Sequence, residues 1–126
     1  MAGLKAKSFL YLLRMKQDYK ALFFPNKYYH VFNRAVGKEK LFVKPDNYHY
    51  FLHLFDKHIC PVAEVFCYCL LPNHFHFLIA TKTDAALQNR IDVLQYKKKE
   101  EEMKQPVFVL QQFSNLFNAY TKALNK

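Results

Sequence analysis

Residues 69–80 have the sequence Cys-Leu-Leu-Pro-Asn-His-Phe-His-Phe-Leu-Ile-Ala, and the interpretation of the whole chain starts from this stretch. Aromatic and branched residues follow the turn signal Pro72-Asn73, a pattern typical of a strand that is entered through a turn. Because side chains alternate along a strand, His74 and His76 leave one face, roughly 7 Å apart at the backbone. The phenylalanines between and after them leave the other face. The stretch therefore predicts a strand with one hydrophobic face and one face that carries two histidines.

Two imidazoles at this spacing can converge on one divalent cation, which would make the strand half of a metal site. Geometry alone leaves a second interpretation open, in which two half-exposed histidines bind nothing, because a single His-x-His is a weak motif. A zinc site of Cys67, Cys69 and His74 is also conceivable, although the spacing is not that of a zinc knuckle.

Length and composition favour one folded domain with an anionic partner. The chain has 126 residues, of which 52% are hydrophobic and 17% aromatic, and this argues against disorder. It carries 19 Lys and Arg against 10 Asp and Glu, a net charge of +9. Phosphates can meet the cations and bases can stack on the rings, so nucleic acid is the favoured partner. The alternative is a basic surface without a specific ligand.

The cysteines and the apolar runs indicate in which cellular compartment the protein is expected. An odd number of cysteines (Cys60, Cys67 and Cys69), without a secretory pattern, indicates reduced thiols and a cytoplasmic protein. No apolar run has the length of a membrane span. The apolar run 8–13 is too short for a signal peptide and lacks a cleavage site. No amphipathic basic helix stands out, so no membrane partner is expected.

The sequence divides at Pro25 into two parts. Residues 1–24 form a basic, apolar extension, either a short packed helix or translated sequence without function, and residues 25–126 form the domain. Within the domain, patterning predicts a strand over 28–36, a helix over 47–58 and a second strand over 62–71. In the strand over 62–71 both faces are largely apolar, which favours a central position in the sheet.

In that second strand, strict alternation puts Val62, Glu64, Phe66, Tyr68 and Leu70 on one face and Ala63, Val65, Cys67, Cys69 and Leu71 on the other. Asp84 is the predicted N-cap of a helix that runs to about Met103. The charged run 97–102 is interpreted as its solvated end, and residues 107–125 are predicted to form an amphipathic helix. Together these elements predict an α+β layer fold whose helices cover one sheet face and leave the other for a ligand.

Residues 71–78, Leu-Pro-Asn-His-Phe-His-Phe-Leu, resemble the HUH motif (His, hydrophobic, His) of the single-tyrosine transposases, the small insertion-sequence and REP-associated enzymes. Further similar segments follow the family's order, at residues 29–34, 40–42, 46–55 and 112–120. The resemblance spans about residues 28 to 126. It implies a ferredoxin-like or RRM-like antiparallel sheet with helices mainly on one face.

Members of this family cut and rejoin single-stranded DNA, through a tyrosine that becomes joined to the 5′ phosphate. The resemblance implies that His74 and His76 hold a divalent cation, Mg²⁺ or Mn²⁺, and that a third oxygen ligand completes its site. Imidazole suits Mn²⁺ better than Mg²⁺, although the family is generally regarded as Mg²⁺-dependent. The implied partners are single-stranded or hairpin DNA and a second copy in a homodimer.

The chain departs from the family at the nucleophile. The REP-associated branch has Tyr-x-x-x-Asn shortly before Asn-Pro, and these 126 residues contain no such segment. The insertion-sequence branch has Gln four residues after the tyrosine, whereas Tyr120 is followed by Leu124. We therefore expect the catalytic C-terminal segment to be missing, through truncation, as a remnant or in a fragment. Tyr120 is only a fallback nucleophile, and a core or DNA-stacking tyrosine is the favoured interpretation.

Several other polar residues are candidates for supporting roles. Arg34, Lys38 and Lys40 cluster near the end of the first strand, as phosphate contacts or as surface cations without a partner. Glu64 is predicted to lie on the strand next to the histidines, where it could support a metal. The remaining histidines share no spacing with the motif: His30, His49, His53 and His58.

Two classes of function follow. The first is a transposase-like DNA-binding domain for metal-dependent cleavage and rejoining of single-stranded DNA. The alternative is a nucleic-acid-binding module without catalysis, or a transposase remnant whose HUH motif is vestigial.

Overall fold

The computed structural model describes residues 23–35, 37–94 and 105–124. Its elements are β1 (Tyr28–Arg34), α1 (Pro45–His58), β2 (Ala63–Leu71), β3 (His74–Thr81), α2 (Asp84–Val93) and α3 (Gln105–Leu124). The α+β class is confirmed. Most of the extension 1–24 and the charged run 97–102 lie outside the described residues.

The sheet has three strands in the order β1-β3-β2, and both pairings are antiparallel. Strands β1 and β2 are therefore parallel to each other, with β3 inserted between them and α1 as the crossover. This is the split βαβ arrangement of ferredoxin-like folds. The prediction that β2 is central is wrong, because β3 occupies the middle of the described sheet. The apolar residues of β2 are largely exposed, Phe66 at 53% and Tyr68 at 54%.

A bulge at Phe66 breaks the alternation of β2. Val65 pairs with Ile79 and Cys67 pairs with Leu78, so two residues of β2 stand against one residue of β3. Beyond the bulge the pattern changes phase, and Cys67 joins Glu64 and Phe66 on the face that carries the histidines. The predicted division of β2 into two alternating sets is therefore correct on only one side of Phe66.

Helices α1 and α2 both begin earlier than predicted, α1 two residues before 47 and α2 at Asp84 itself, and local capping explains both starts. The side-chain Oδ1 of Asn47 accepts hydrogen bonds from the backbone N–H groups of Val43 and Lys44, each at 2.9 Å, and α1 begins at Pro45. At α2 the N-cap is Thr83 rather than Asp84, since its Oγ1 accepts from the N–H of Ala86 at 3.3 Å.

The far end of α2 is Val93, with Leu94 as the C-cap. The predicted continuation of this helix to about Met103 falls on residues 95–103, which are outside the described part of the chain. Helix α3 begins two residues before the predicted 107 and ends one residue before the predicted 125.

The core lies between the sheet and the helices and is dominated by phenylalanine. Phe77 stacks on Phe55 of α1 with ring centroids 3.9 Å apart and planes at 8°. Phe75 contacts Phe51 of α1 and Phe117 of α3. These contacts orient β3: its phenylalanines face the helices, so the alternate residues face away from them.

The chain before β1 also belongs to the domain. Phe23 is buried and stacks on Phe113 at 4.9 Å. Thr81 fixes the next residues, because its Oγ1 accepts from the N–H of Lys27 and donates to the carbonyl of Phe24. The folded domain therefore includes Phe23 and Phe24, which the sequence assigned to the extension. None of the described helices combines the length and apolarity needed to cross a bilayer.

Candidate metal and nucleic-acid site

The sheet face opposite the helices carries the residues predicted to be functional. We call it the open face, and it consists of Tyr28, His30, Phe32 and Arg34 of β1, His74, His76, Leu78 and Ala80 of β3, and Glu64, Phe66, Cys67, Cys69 and Leu71 of β2. Its large aromatic side chains are exposed: Tyr28 at 72%, Phe32 at 57% and Phe66 at 53%. This face is where a ligand can meet the sheet of the described domain.

His74 is held by its neighbour in the turn. Its Nδ1 lies 2.7 Å from the Oδ1 of Asn73, and because that oxygen only accepts, His74 Nδ1 carries the proton and donates it. The lone pair of His74 Nε2 is then available to a cation. Partial desolvation, followed by the positive charges of Arg34 and His76, lowers the pKa of His74. The neutral imidazole that a metal requires is therefore favoured.

His76 is held from the neighbouring strand. Its Nδ1 lies 2.9 Å from Nε2 of His30, and the two rings are nearly parallel, with centroids 5.1 Å apart. The rings of His74 and His76 are perpendicular, with centroids 5.2 Å apart. The predicted pair is thus brought together on one face, and His30 is added to it.

Sequence reasoning missed His30 because it compared spacings along the chain. The contact depends on the register between β1 and β3, which pairs Phe32 with His76 and His30 with Leu78, so the two histidines are diagonal neighbours. One signal was available in the sequence: His30 lies four residues before Arg34 in the predicted strand, so alternation places both side chains on one face.

The histidine pair fits a weakly held cation better than a closed structural site. Among the described residues, no three His, Cys, Asp or Glu side chains form a group that could hold a metal. His74 and His76 supply two nitrogens, so further ligands would come from water or from a bound phosphate. The alternative zinc site of Cys67, Cys69 and His74 is not assembled. Both of these cysteines are exposed free thiols, and Cys60 is also unpaired.

Glu64 lies too far from the histidine pair to support a cation there. It pairs with Ala80, four residues along β3 from His76, which is roughly 13 Å at the rise of a strand. The prediction that Glu64 could support a metal at the histidines is therefore wrong. Glu64 instead lines a cavity of about 320 Å³ at the opposite end of the open face, together with Tyr28, Phe66 and Lys82 among others.

Tyr120 belongs to the core. It is fully buried, and its hydroxyl donates a 2.8 Å hydrogen bond to the carbonyl of Leu41. Its ring packs edge-on against Phe51, on the helix side of the sheet. Burial, with a smaller contribution from Tyr48, raises its pKa well above the usual value for tyrosine. A phosphodiester on the open face cannot meet this hydroxyl, so the fallback catalytic assignment is corrected in favour of the core interpretation.

Tyr120→Phe should destabilise the fold and leave cation binding unchanged. The variant leaves the buried Leu41 carbonyl without this donor, a loss of about 1–3 kcal/mol. Urea denaturation of the wild type and the variant measures the loss. Tyr50→Phe is the matched control, since Tyr50 is 41% exposed on α1 and its hydroxyl should be nearly dispensable. A Tyr120→Phe variant of full stability but reduced Mn²⁺ affinity would contradict the core role.

The predicted phosphate contacts lie at the histidine end of the sheet. Arg34 pairs in register with His74 and is exposed on the open face. The loop that follows, with exposed Lys38 and Lys40, returns to the β2–β3 turn, where the N–H of Leu41 donates to the carbonyl of Pro72 at 2.7 Å. The three cations therefore lie on the segment that borders the histidine pair, and their contact with DNA stays a prediction.

Comparisons of the chain with protein-family models, with curated proteins and with solved structures find no match.

Proposed function

We propose that the open face binds single-stranded DNA and that His74 and His76 hold a divalent cation, Mg²⁺ or Mn²⁺, against one of its phosphates. This is the DNA-binding part of a transposase-like function, metal-dependent cleavage and rejoining of single-stranded DNA. One observation carries the proposal: both histidines project from an exposed sheet face, and each has its Nδ1 engaged by a neighbour. The Nε2 of His74 is thereby left for an ion, and the Nε2 of His76 is left for the same ion when His76 Nδ1 donates to His30.

The charges near the pair suit a phosphate ligand. Arg34 stands beside His74 in the register, and its guanidinium can pair with phosphate oxygens in a fork. When bound, the cation would withdraw charge from the phosphate and orient it for attack. Lys38 and Lys40 extend the positive surface along the loop after β1. The DNA backbone would therefore be anchored at this end of the sheet.

The aromatic residues extend the same surface along the strands. Phe32 lies beside His76 with ring centroids 6.0 Å apart, and Tyr28 meets Phe66 at 5.6 Å at the other end. Exposed rings on a sheet are the common platform for unpaired bases, because each base has a face that can stack. An unpaired strand running from His74 towards Ala80 would meet aromatic surface along its way.

Phe32→Ala should weaken binding of single-stranded DNA by about 1–3 kcal/mol, which is the usual value of one stacked base. Fluorescence anisotropy with a labelled oligonucleotide measures the change, and log K should fall linearly with log salt in the wild type. Tyr50→Ala is the matched control, because Tyr50 is an exposed aromatic on α1, away from the open face. Equal losses for the two variants, or binding insensitive to salt, would contradict the proposal.

A nucleic-acid-binding module without catalysis is the second candidate, and one observation favours it. Among the described tyrosines, the one on the open face is Tyr28. It pairs with Ala80, roughly 13 Å along β3 from His76, so its hydroxyl is poorly placed to attack a phosphate held at the histidine pair. A denaturing gel after incubation with hairpin DNA and Mn²⁺ separates the candidates. A covalent protein–DNA adduct supports cleavage, whereas metal-dependent binding without an adduct supports the module.

A further inference from the structure

We propose that His30 is a positioning residue that fixes the tautomer and orientation of His76, so that His76 Nε2 is free for the cation. The inference rests on the proposed function, which it deepens. It starts from the 2.9 Å distance between His30 Nε2 and His76 Nδ1. A neutral imidazole has one N–H, so only one of these two nitrogens can donate while the other accepts.

The two possible hydrogen bonds have opposite consequences for a metal. If His76 Nδ1–H donates to His30, the Nε2 of His76 keeps a bare lone pair and can bind a cation. If His30 Nε2–H donates to His76, the proton of His76 is on Nε2, and that nitrogen cannot act as a ligand. Cation binding at His76 Nε2 therefore selects the first arrangement, in which His30 carries its own proton on Nδ1.

The sheet holds the two rings in place for this contact. His30 and His76 are stacked at 18°, and Phe32 contacts both, with centroids 4.8 Å from His30 and 6.0 Å from His76. The contact arises from the register of β1 on β3 and not from a loop. His76 is thus oriented before any ion arrives, and ion binding does not have to order it.

The two ligand histidines differ in how they are held. Asn73 Oδ1 can only accept, so its contact with His74 Nδ1 selects the Nδ1–H tautomer of His74. His30 Nε2 can either accept or donate, so it holds His76 in the ligand-competent state only when it accepts. Loss of His30 should therefore affect His76 alone, and this selectivity distinguishes positioning from a general structural effect.

Long-range ¹⁵N–¹H NMR of the histidine rings, in protein without metal, tests the hydrogen bond directly. We expect His76 to be mainly the Nδ1–H tautomer in the wild type and to shift towards Nε2–H in His30→Phe, which keeps a ring but has no acceptor. His74 should stay in the Nδ1–H form in both proteins. An Nε2–H tautomer at His76 in the wild type would overturn the inference.

Mn²⁺ titration followed by electron paramagnetic resonance supplies the second readout. His30→Phe should weaken Mn²⁺ binding about 10–100-fold, the usual effect of losing the partner that orients a ligand histidine. His30→Gln should restore much of the affinity, because its side-chain oxygen can accept from His76 Nδ1–H.

The outcomes separate this inference from the proposed function. Equal Mn²⁺ affinity in wild type and His30→Phe, or no rescue by His30→Gln, would overturn the role of His30 while leaving the metal pair in place. A wild-type protein that binds no Mn²⁺ would instead overturn the proposed metal site, whatever the tautomer of His76.

Discussion

Alanine at both His74 and His76 should abolish Mn²⁺ binding to the detection limit. In the proposed site the two side chains are the nitrogen ligands, and no group of three or more His, Cys, Asp or Glu side chains among the described residues offers the ion another site. The fold should be retained, because both histidines project from the open face away from the phenylalanine core. Mn²⁺ titration followed by electron paramagnetic resonance measures the loss, and circular dichroism checks the fold.

The matched control removes the other histidine pair. His49 and His53 lie one turn apart on α1 and are both exposed, and two histidines at this spacing on a helix could also hold a cation. The His49→Ala/His53→Ala variant should bind Mn²⁺ as the wild type does. If this variant loses binding while the His74→Ala/His76→Ala variant keeps it, the cation is held by α1 and the proposed site is wrong.

Phe77→Ala should lower the free energy of unfolding by about 3–5 kcal/mol, the usual loss for a buried phenylalanine in a core that cannot close around the gap. Phe77 is 1% exposed and stacks on Phe55. A loss of this size is a large part of the roughly 5–15 kcal/mol that stabilises a typical domain. Urea denaturation of purified variants measures it.

Leu78→Ala is the control for that loss. Leu78 is the next residue on the same strand, but it is 40% exposed on the open face, so its truncation should cost well under half as much as Phe77→Ala. Similar losses at both positions would mean that β3 has no distinct core face. The histidines would then have no open face to share.

The periodicity of the chain was enough to predict most of the architecture. Alternation in residues 74–79 indicated a core face and a histidine face, and the contacts of Phe75 and Phe77 with α1 are as that pattern requires. The predicted central position of β2 was wrong for a physical reason. The apolar residues of β2 suggested burial on both sides, whereas Phe66 is exposed on the open face. An aromatic residue on a binding surface has the same sequence signature as one in the core.

The site was only half predictable. His74 and His76 are two residues apart in one strand, so local geometry places them together. His30 is 46 residues away from His76 in sequence, and only the register between two strands brings them into contact. Glu64 illustrates the reverse error: it lies in β2, which does adjoin β3, but the register places it beside Ala80. Neighbouring strands can be inferred from connectivity, whereas register depends on packing along the whole pair.

The most direct test of a cation on the open face is paramagnetic broadening of backbone amide signals during Mn²⁺ titration. We expect the broadening to centre on His74 and His76 and to extend to Phe32 and Cys69, which pair with His76. The signals of α1 around His49 and His53 should stay sharp at the same Mn²⁺ concentration. Broadening centred on α1, or spread evenly over the protein, would contradict a metal site at the histidine pair.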